Sequence, residues 1–170
     1  MELSRREARL PDESTQPLPV FHLKKILVPV DFSSSARKAL HYGEALARQF
    51  GASLVLLNVV PPYMPVPDLV TIDLVEVEQQ FRDSARKELG EWQRTVAKEV
   101  ATEVVLKTGD AGQEIVWTAK ELEADLIVLS THGRTGLAHV LMGSTAERVV
   151  QHAGCPVLIV REKEHEFVTE

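Results

Sequence analysis

The sequence of 170 residues predicts an α/β domain: a single open parallel sheet, doubly wound, with helices on both of its faces. Three observations carry this prediction. Short runs of consecutive apolar residues, typical of strands buried on both faces, recur along the chain. Segments with apolar residues at helical spacing separate these runs, and Gly, Pro, Ser or Asp marks the boundaries. Five apolar runs alternate with four helical segments, so right-handed crossovers join the strands in one sheet.

The first strand and helix are predicted close to the N-terminal end. Lys25 to Val30 is a near-continuous apolar run. Asp31 and the serines at 33–35 then supply the side-chain oxygens that suit a helix N-cap. Gly51 stands where the residue after a helix is preferentially glycine. The apolar face of this helix consists of Ala36, Ala39, Leu40, Gly43, Ala47 and Phe50.

The second strand and the longest helix follow. Ser53 to Val60 is a second buried strand, and it ends at Pro61 and Pro62, which cannot continue a hydrogen-bonded ladder. Helical spacing then resumes in a long amphipathic segment that ends near Glu99. The apolar residues of that segment are Val70, Leu74, Val77, Phe81, Leu89, Trp92 and Val96.

The third strand is predicted at Thr102 to Leu106, and a turn with a helix start follows at Gly109 to Gln113. Trp92 and Trp117 both lie on apolar helix faces, so we expect both indole rings in the core. The apolar residues that define the third helix are Ile115, Ala119 and Leu122.

The last part of the chain predicts two strands around a short helix. Asp125 to Ser130 is the fourth strand, and Val157 to Val160 is the fifth. The helix between them spans Ser144 to Ala153. We expect its start to carry a Ser-x-x-Glu capping box formed by Ser144 and Glu147.

Composition and charge narrow the class of protein. A net charge of −6 and a pI near 5.6 disfavour a general nucleic-acid binder or a protein of anionic membrane surfaces. No apolar run approaches the roughly 18 residues of a membrane span. Cys155 is the single cysteine, which fits a reducing cytoplasm. We therefore expect a cytoplasmic protein with neither nucleic-acid nor membrane partners.

We expect residues 21–162 to form the domain, with a flexible extension at 1–20 and an acidic tail at 163–170. The extension is polar and contains three prolines. An amphipathic targeting peptide is the alternative interpretation, and the acidic residues of the extension disfavour it. Those residues are Glu2, Glu7, Asp12 and Glu13.

Two loops are candidates for one functional site. Asp31 follows the first strand and Ser130 ends the fourth, and the carboxyl ends of parallel strands meet at one edge of a sheet. The loop from Ser130 to Glu147 joins a strand to a helix start and carries three glycines. Exposed amides and the positive end of a helix dipole make such a loop a plausible cradle for phosphate.

Other chemistries fit the sequence less well. The turn after the first strand lacks the glycines of a dinucleotide fingerprint, and the Gly143 loop lacks the spacing and lysine of a P-loop. Ser130 and His132 form no recognisable nucleophile–base motif, because a third orienting group is missing. A phospho-acceptor role for Asp31 would need a neighbouring carboxylate to hold magnesium, and the residues next to Asp31 include none. The histidines show no ligand spacing, so we expect no metal site formed by the protein alone.

The loop from Ser130 resembles the nucleotide-binding loop of the universal stress protein family, G-x2-G-x9-G-[ST]. Gly133 matches the second glycine, Gly143 follows after nine residues, and Ser144 matches the closing hydroxyl. Ser130 departs from the pattern, since it stands where the motif has its first glycine. Serine is small, and its hydroxyl could still bond a phosphate or a ribose.

Further family-like segments stand in the expected order, and the resemblance spans about residues 23 to 161. They are the start Lys-Ile-Leu-Val-Pro-Val-Asp-Phe-Ser at 25–33, Leu-Leu-Asn-Val at 56–59, and Cys-Pro-Val-Leu-Ile-Val at 155–160. The resemblance implies the fold called adenine nucleotide alpha hydrolase-like, with strand order 3-2-1-4-5. It also implies ATP, ADP or AMP as ligand, with or without Mg²⁺ held mainly by phosphate oxygens and water.

The resemblance also assigns roles to residues. Val59 would contact the base, Asp31 would bond the ribose or adenine end, and Gly133 and Gly143 would let amides approach the phosphates. Ser144 would add a hydroxyl, while His132 or Arg134 would supply positive charge and Gly136 would serve the turn. The full set of expected binding residues is Pro29, Val30, Asp31, Val59, Ser130, His132, Gly133, Arg134, Gly136, Gly143, Ser144 and Thr145.

The resemblance implies a function and an assembly. In the family the fifth strand pairs across a two-fold axis, so Val157 to Val160 would form a homodimer. The leading hypothesis is a stress-responsive dimeric regulator that binds an adenine nucleotide and is not a dedicated enzyme. A slow ATP hydrolase and a nucleotide-free interaction module remain open as alternatives.

Overall fold

The computed structural model describes residues 20–62, 74–131, 142–161 and 168. Within these ranges the chain forms strands and helices in strict alternation. The strands are β1 (Lys25–Pro29), β2 (Ser53–Val60), β3 (Thr102–Thr108), β4 (Leu126–Ser130) and β5 (Val157–Val160). The helices are α1 (Ser34–Phe50), α2 (Leu74–Thr95), α3 (Ala111–Glu121) and α4 (Ser144–His152). The predicted elements are present, and their ends differ from the predicted ones by a few residues.

All five strands are parallel and lie in the order β3-β2-β1-β4-β5, which confirms the predicted topology. From β1 the chain moves outward through β2 to β3, then returns to the other side of β1 to form β4 and β5. The winding direction therefore reverses between β1 and β4. In open parallel sheets this reversal leaves a crevice at the carboxyl ends of the two strands.

The core has two layers, one on each face of the sheet. Leu40 of α1 and Leu89 of α2 pack with Val28 on one face. Ile115 of α3 and Val149 of α4 pack with the other set of strand residues. Three consecutive residues of β1 are fully buried, namely Ile26, Leu27 and Val28. The predicted placement of helices on both faces is therefore confirmed.

Three aromatic residues that the spacing assigned to apolar faces are exposed instead. Trp117 is 62% exposed, Phe81 57% and Phe50 40%, whereas Trp92 is buried as predicted. The buried stripe of α3 runs through Ile115 and Thr118, and two positions after Ile115 the helix has turned by about 200°. The prediction that Trp117 belongs to the core is wrong for this reason.

A carboxylate joins β1 to β4 at the amino edge of the sheet, opposite the crevice. Asp125 Oδ2 accepts hydrogen bonds from the backbone N–H of Lys24 at 2.7 Å and of Lys25 at 2.9 Å. These two bonds hold the pKa of Asp125 below its ordinary value of 3.8; burial opposes them, and the positive charges of the same lysines make a smaller contribution in the lowering direction. The ionised carboxylate therefore fastens the starts of the two central strands.

Asp125 should make stability depend on acid pH. A carboxyl group whose pKa is lower in the folded state contributes stability above its unfolded pKa and loses it as pH falls through the folded pKa. We expect Asp125→Asn to be less stable than the wild type by a constant amount at about pH 5 to 7. Below the unfolded value of 3.8 the difference should shrink. Urea unfolding across this range measures it, and an undiminished difference in acid would contradict the assignment.

Candidate functional site

A cleft of about 710 Å³ lies at the carboxyl ends of the strands. The ends of β1, β2 and β4 line it together with the β3–α3 turn and the start of α4. The predicted site residues that fall within the described ranges all line this cleft: Pro29, Val30, Asp31, Val59, Ser130, Gly143, Ser144 and Thr145. His132, Gly133, Arg134 and Gly136 lie outside the described residues. The volume is in the range of small-molecule sites.

A buried amide fixes the exit of the chain from β1. Val30 donates its N–H to Leu57 O at 2.8 Å, as a continued ladder would. Its carbonyl oxygen accepts instead from the side chain of Asn58, with Nδ2 at 2.7 Å. Asn58 is only 7% exposed, so this bond is shielded from water. No role was predicted for Asn58, although a polar residue inside an apolar strand is the signal in the sequence that points to it.

The backbone groups of Val59, the next residue of β2, face the cleft. Leu57 O accepts from Val30 N on the β1 side of the strand. Val60 O accepts from Gly109 N on the opposite, β3 side. Because backbone groups alternate sides residue by residue, those of Val59 face the β1 side, beyond the end of that strand. Within the described residues they have no hydrogen-bond partner, so one donor and one acceptor face the cleft.

Asp31 supports the cap of α1 but is not itself the cap. Ser33 is the N-cap, and its Oγ accepts from Ala36 N at 3.1 Å. Asp31 Oδ1 accepts from Ser33 N at 3.1 Å and from Ser33 Oγ at 2.5 Å. Oδ1 therefore anchors the carboxylate to the turn, and the residue lines the cleft.

The residue after Asp31 has a strained backbone. Phe32 has φ of 66°, a left-handed conformation that is unfavourable for a bulky side chain. Its ring packs edge-on against Trp92, with ring centroids 5.6 Å apart, and the Arg37 guanidinium lies 3.8 Å over the same indole. These contacts hold a sharp turn directly after Asp31. Nothing in the letters Asp-Phe-Ser indicates this conformation, since glycine or asparagine is its usual marker.

The start of α4 differs from the prediction. Gly143 is the N-cap and makes no side-chain bond, and Ser144 is the first helical residue. Glu147 N donates to Gly143 O in the regular helical pattern. The predicted capping box of Ser144 and Glu147 is therefore wrong, because the helix begins one residue earlier than a cap at Ser144 requires.

Gly143 has a packing role that the sequence analysis did not foresee. Its N–H donates to Thr131 O at 2.8 Å, so this amide is not available to an anion. A Cβ at this position would lie 3.2 Å from the same oxygen. The glycine therefore brings the start of α4 close to the end of β4, and its expected part in letting amides approach the phosphates falls to the neighbouring amides.

The amides that α4 does leave open are those of Ser144, Thr145 and Ala146. The first N–H groups of a helix have no intrahelical acceptor, and no described side chain caps these. By contrast, the starts of α1 and α3 are capped by Ser33 and Asp110. The open amides line the cleft at the positive end of the helix dipole, an arrangement that attracts anions.

The turn between β3 and α3 completes the cleft and was missed as part of the site. Gly109, Asp110 and Ala111 line it. Gly109 has φ of 156°, and a Cβ there would lie 2.9 Å from Glu114 Oε1. The available signal was topological: the carboxyl end of a third parallel strand must reach the same edge.

The described lining residues include the carboxylates of Asp31 and Asp110 but no Lys, Arg or His. In the same part of the chain no three His, Cys, Asp or Glu side chains cluster as metal ligands.

No helix among the described segments is long and apolar enough to cross a membrane. Burial raises the pKa of the Cys155 thiol, and its side chain packs against the core beneath α3 and α4.

The fold is that of a known family. The sequence model of the Universal stress protein family matches residues 22–161, and the chain belongs to this family. A universal stress protein of Methanocaldococcus jannaschii is 35% identical over 150 residues, which covers 84% of this chain and 85% of the relative.

Solved structures have the same fold. The universal stress protein UspA from Lactobacillus plantarum is 29% identical with a TM-score of 0.68, over 84% of this chain and 100% of that one. A universal stress protein in complex with cAMP is 22% identical with a TM-score of 0.62, over 83% and 98%. The Archaeoglobus fulgidus protein in complex with dAMP is 24% identical with a TM-score of 0.58, over 82% and 98%. The sequence identities of 22% and 24% to these two nucleotide complexes are low, so the likeness shows the fold alone.

Removing the Asn58 amide should destabilise the domain. Asn58→Ala leaves the buried Val30 carbonyl without its partner, which costs about 1–3 kcal/mol in the free energy of unfolding. Gln93→Ala is the matched control, since Gln93 Nε2 donates to Thr102 O at 2.6 Å in a part-buried position. We expect the control to lose only about 0.5–1.5 kcal/mol in urea unfolding. Equal losses would contradict the buried role of Asn58.

Proposed function

We propose that this protein binds an adenine nucleotide, ATP, ADP or AMP, in the cleft between β1 and β4. One observation carries the proposal. A single cleft has a backbone donor and acceptor at Val59 on one wall and the uncapped start of α4 on another. A ligand that spans both walls needs a base at one end and an anion at the other. A nucleotide has this chemistry.

The Val59 backbone suits adenine in particular. The base carries an acceptor ring nitrogen next to an amino donor, which complements one N–H and one C=O group. Guanine presents the reverse order on that edge, a carbonyl next to an N–H, so it would oppose like groups. Val59, Pro61 and Pro62 add apolar surface around this position. Unpaired buried polar groups are costly, which is why such a pair discriminates between bases.

In this proposal the phosphates bind at the start of α4, to the open amides of Ser144 and Thr145 and to the Ser144 hydroxyl; the lack of a side-chain cap at this helix start supports it. Gly133, Gly136, Arg134 and His132 complete this part of the proposed site, together with Ser130. When Mg²⁺ accompanies the nucleotide, phosphate oxygens and water supply most of its ligands.

Asp31 takes the ribose or base end of the ligand in this proposal. A carboxylate next to phosphate would repel it, whereas ribose hydroxyls donate hydrogen bonds to carboxylates. Pro29 and Val30 supply the adjoining backbone wall. The Ser33 bonds and the strained Phe32 turn keep Asp31 in position, so this part of the site is formed before a ligand arrives.

The proposed biological unit is a cytoplasmic, stress-responsive homodimer. It is formed by residues 21–162, flanked by the extension at 1–20 and the tail at 163–170. β5 is the outer strand of the sheet beside β4, and two-fold pairing of Val157–Val160 with a second copy would cover this edge. A nucleotide that binds the folded dimer preferentially stabilises it, which makes ligand occupancy a signal.

Nucleotide binding can be tested directly. We expect denatured purified protein to release an adenine nucleotide detectable by mass spectrometry. After removal of that nucleotide, calorimetry should show ATP, ADP and AMP binding and GTP at least about ten-fold weaker, because guanine mismatches the Val59 backbone pair. Absence of both released nucleotide and binding heat would overturn the proposal. Equal affinity for ATP and GTP would overturn the role of Val59.

A proline at the start of α4 tests the amides alone. Proline is tolerated at the first helical position, and Gly143 already has the extended conformation that a following proline requires, with φ −74° and ψ 157°. Ser144→Pro thus removes one amide donor and the hydroxyl, while Ser144→Ala removes only the hydroxyl. We expect ATP affinity to fall about ten-fold or more in Ser144→Pro and less in Ser144→Ala.

Ser34→Pro is the matched control for this substitution. It places proline at the first position of α1, after Ser33 in a similar extended conformation, φ −78° and ψ 164°, and outside the cleft. We expect it to leave ATP affinity unchanged. A Ser144→Pro protein that binds ATP as well as Ser34→Pro does would show that the α4 amides are not the phosphate site.

A further inference from the structure

A second carboxylate, Asp110, lines the cleft into which the proposed function would bring a polyanion. Its Oδ1 caps α3 by accepting from Gln113 N at 2.9 Å. The same oxygen accepts from Arg148 Nη1, also at 2.9 Å. Asp110 lines the cleft, whereas Arg148 of α4 is not among the lining residues. The pair therefore places its negative member toward the cavity.

The path of the Arg148 side chain is built into the contact between α3 and α4. A Cβ on Gly112 would lie 2.8 Å from Arg148 Cδ and 3.1 Å from Arg148 Cβ. Gly112 is itself buried, and its φ does not lie in the left-handed region. A glycine is needed there for space, because the aliphatic part of Arg148 occupies the position of a side chain. The guanidinium is thus directed at Asp110 by packing as well as by charge.

The pair lies close to the open amides of α4. Arg148 follows Ser144 by four residues, which corresponds to about 6 Å along the helix axis. That separation is within the Debye length of about 8 Å at physiological ionic strength, so charges here act on one another. The two side chains are 53% and 54% exposed, and exposed pairs contribute little to stability. The Arg148–Asp110 pair therefore matters more for the electrostatic potential at the start of α4 than for stability.

We propose that Arg148 is a specificity-determining residue for the charge of the bound nucleotide. By neutralising Asp110 it lets the cleft accept a longer phosphate chain. This inference rests on the proposed function. It adds the residue that allows the cleft to bind the more highly charged ATP as well as AMP. Without Arg148 the Asp110 carboxylate repels the ligand, and the repulsion grows with each phosphate, which adds about one negative charge. At a charge separation of about 6 Å in water of low ionic strength, each added charge corresponds to about a three-fold change in affinity.

The test is a comparison of AMP, ADP and ATP affinities by calorimetry at low ionic strength. Arg148→Gln removes the neutralising charge, and Arg148→Lys retains it. Asp110→Asn removes the carboxylate and still caps the helix, since asparagine is as good an N-cap as aspartate. Arg86→Gln is the control, because Arg86 pairs with Asp83 on α2 at similar exposure, 61% and 58%, and neither residue lines the cleft.

We expect the ratio of ATP to AMP affinity to fall about ten-fold in Arg148→Gln at low ionic strength, since ATP carries about two charges more. Arg148→Lys, Arg86→Gln and the double variant Arg148→Gln/Asp110→Asn should keep the wild-type ratio or exceed it. Added salt should reduce the effect of Arg148→Gln.

Three results would overturn the inference. Equal weakening of AMP and ATP in Arg148→Gln would indicate a structural role. A low ratio that persists in the double variant would mean that Arg148 contacts the phosphates directly, and a ratio as low in Arg148→Lys would contradict a role of charge. Failure of the proposed function has a different signature, because the wild type would then bind none of the three nucleotides.

Discussion

The burial of β1 on both faces is the constraint on which the cleft depends. Ile26, Leu27 and Val28 are fully enclosed, so β1 must lie in the centre of the sheet with helices above and below. Its neighbours, β2 and β4, are then reached by connections that leave in opposite directions, and a crevice opens between them. Asp125 fastens the opposite edge, where no opening is needed. The position of the site is therefore a consequence of core packing.

The polar groups around the crevice are satisfied selectively. The Val30 carbonyl is occupied by the Asn58 amide, Asp31 is anchored to Ser33, and the start of α3 is closed by Asp110. The Val59 backbone and the first amides of α4 are not used in this way by the described residues. Buried or half-buried polar groups are normally paired, so those left open in one cleft indicate where a ligand binds.

Much of this architecture could be predicted because buried strands and buried helix faces require apolar residues at regular positions in the sequence. Apolar runs identified the strands, and topology brought Asp31 and Ser130 to one edge. Residues whose role depends on three-dimensional context escaped prediction. Gly143 caps α4 in place of Ser144 because the chain turns against Thr131, and Asn58 acts across strands. Trp117 shows the same limit. Apolar residues lie on more than one face of α3, so the helical spacing alone does not identify the face that is buried.

The central claim is that one ligand contacts two separated walls of the same cleft. Titration of ATP into ¹⁵N-labelled protein, followed by amide NMR, tests it most directly. The account predicts that the amide signals of Val59, Ser144 and Thr145 shift together along one binding curve, while those of Lys24 and Lys25 at the opposite edge stay unchanged. Shifts confined to one wall, or spread over the opposite edge and absent from the cleft, would contradict it.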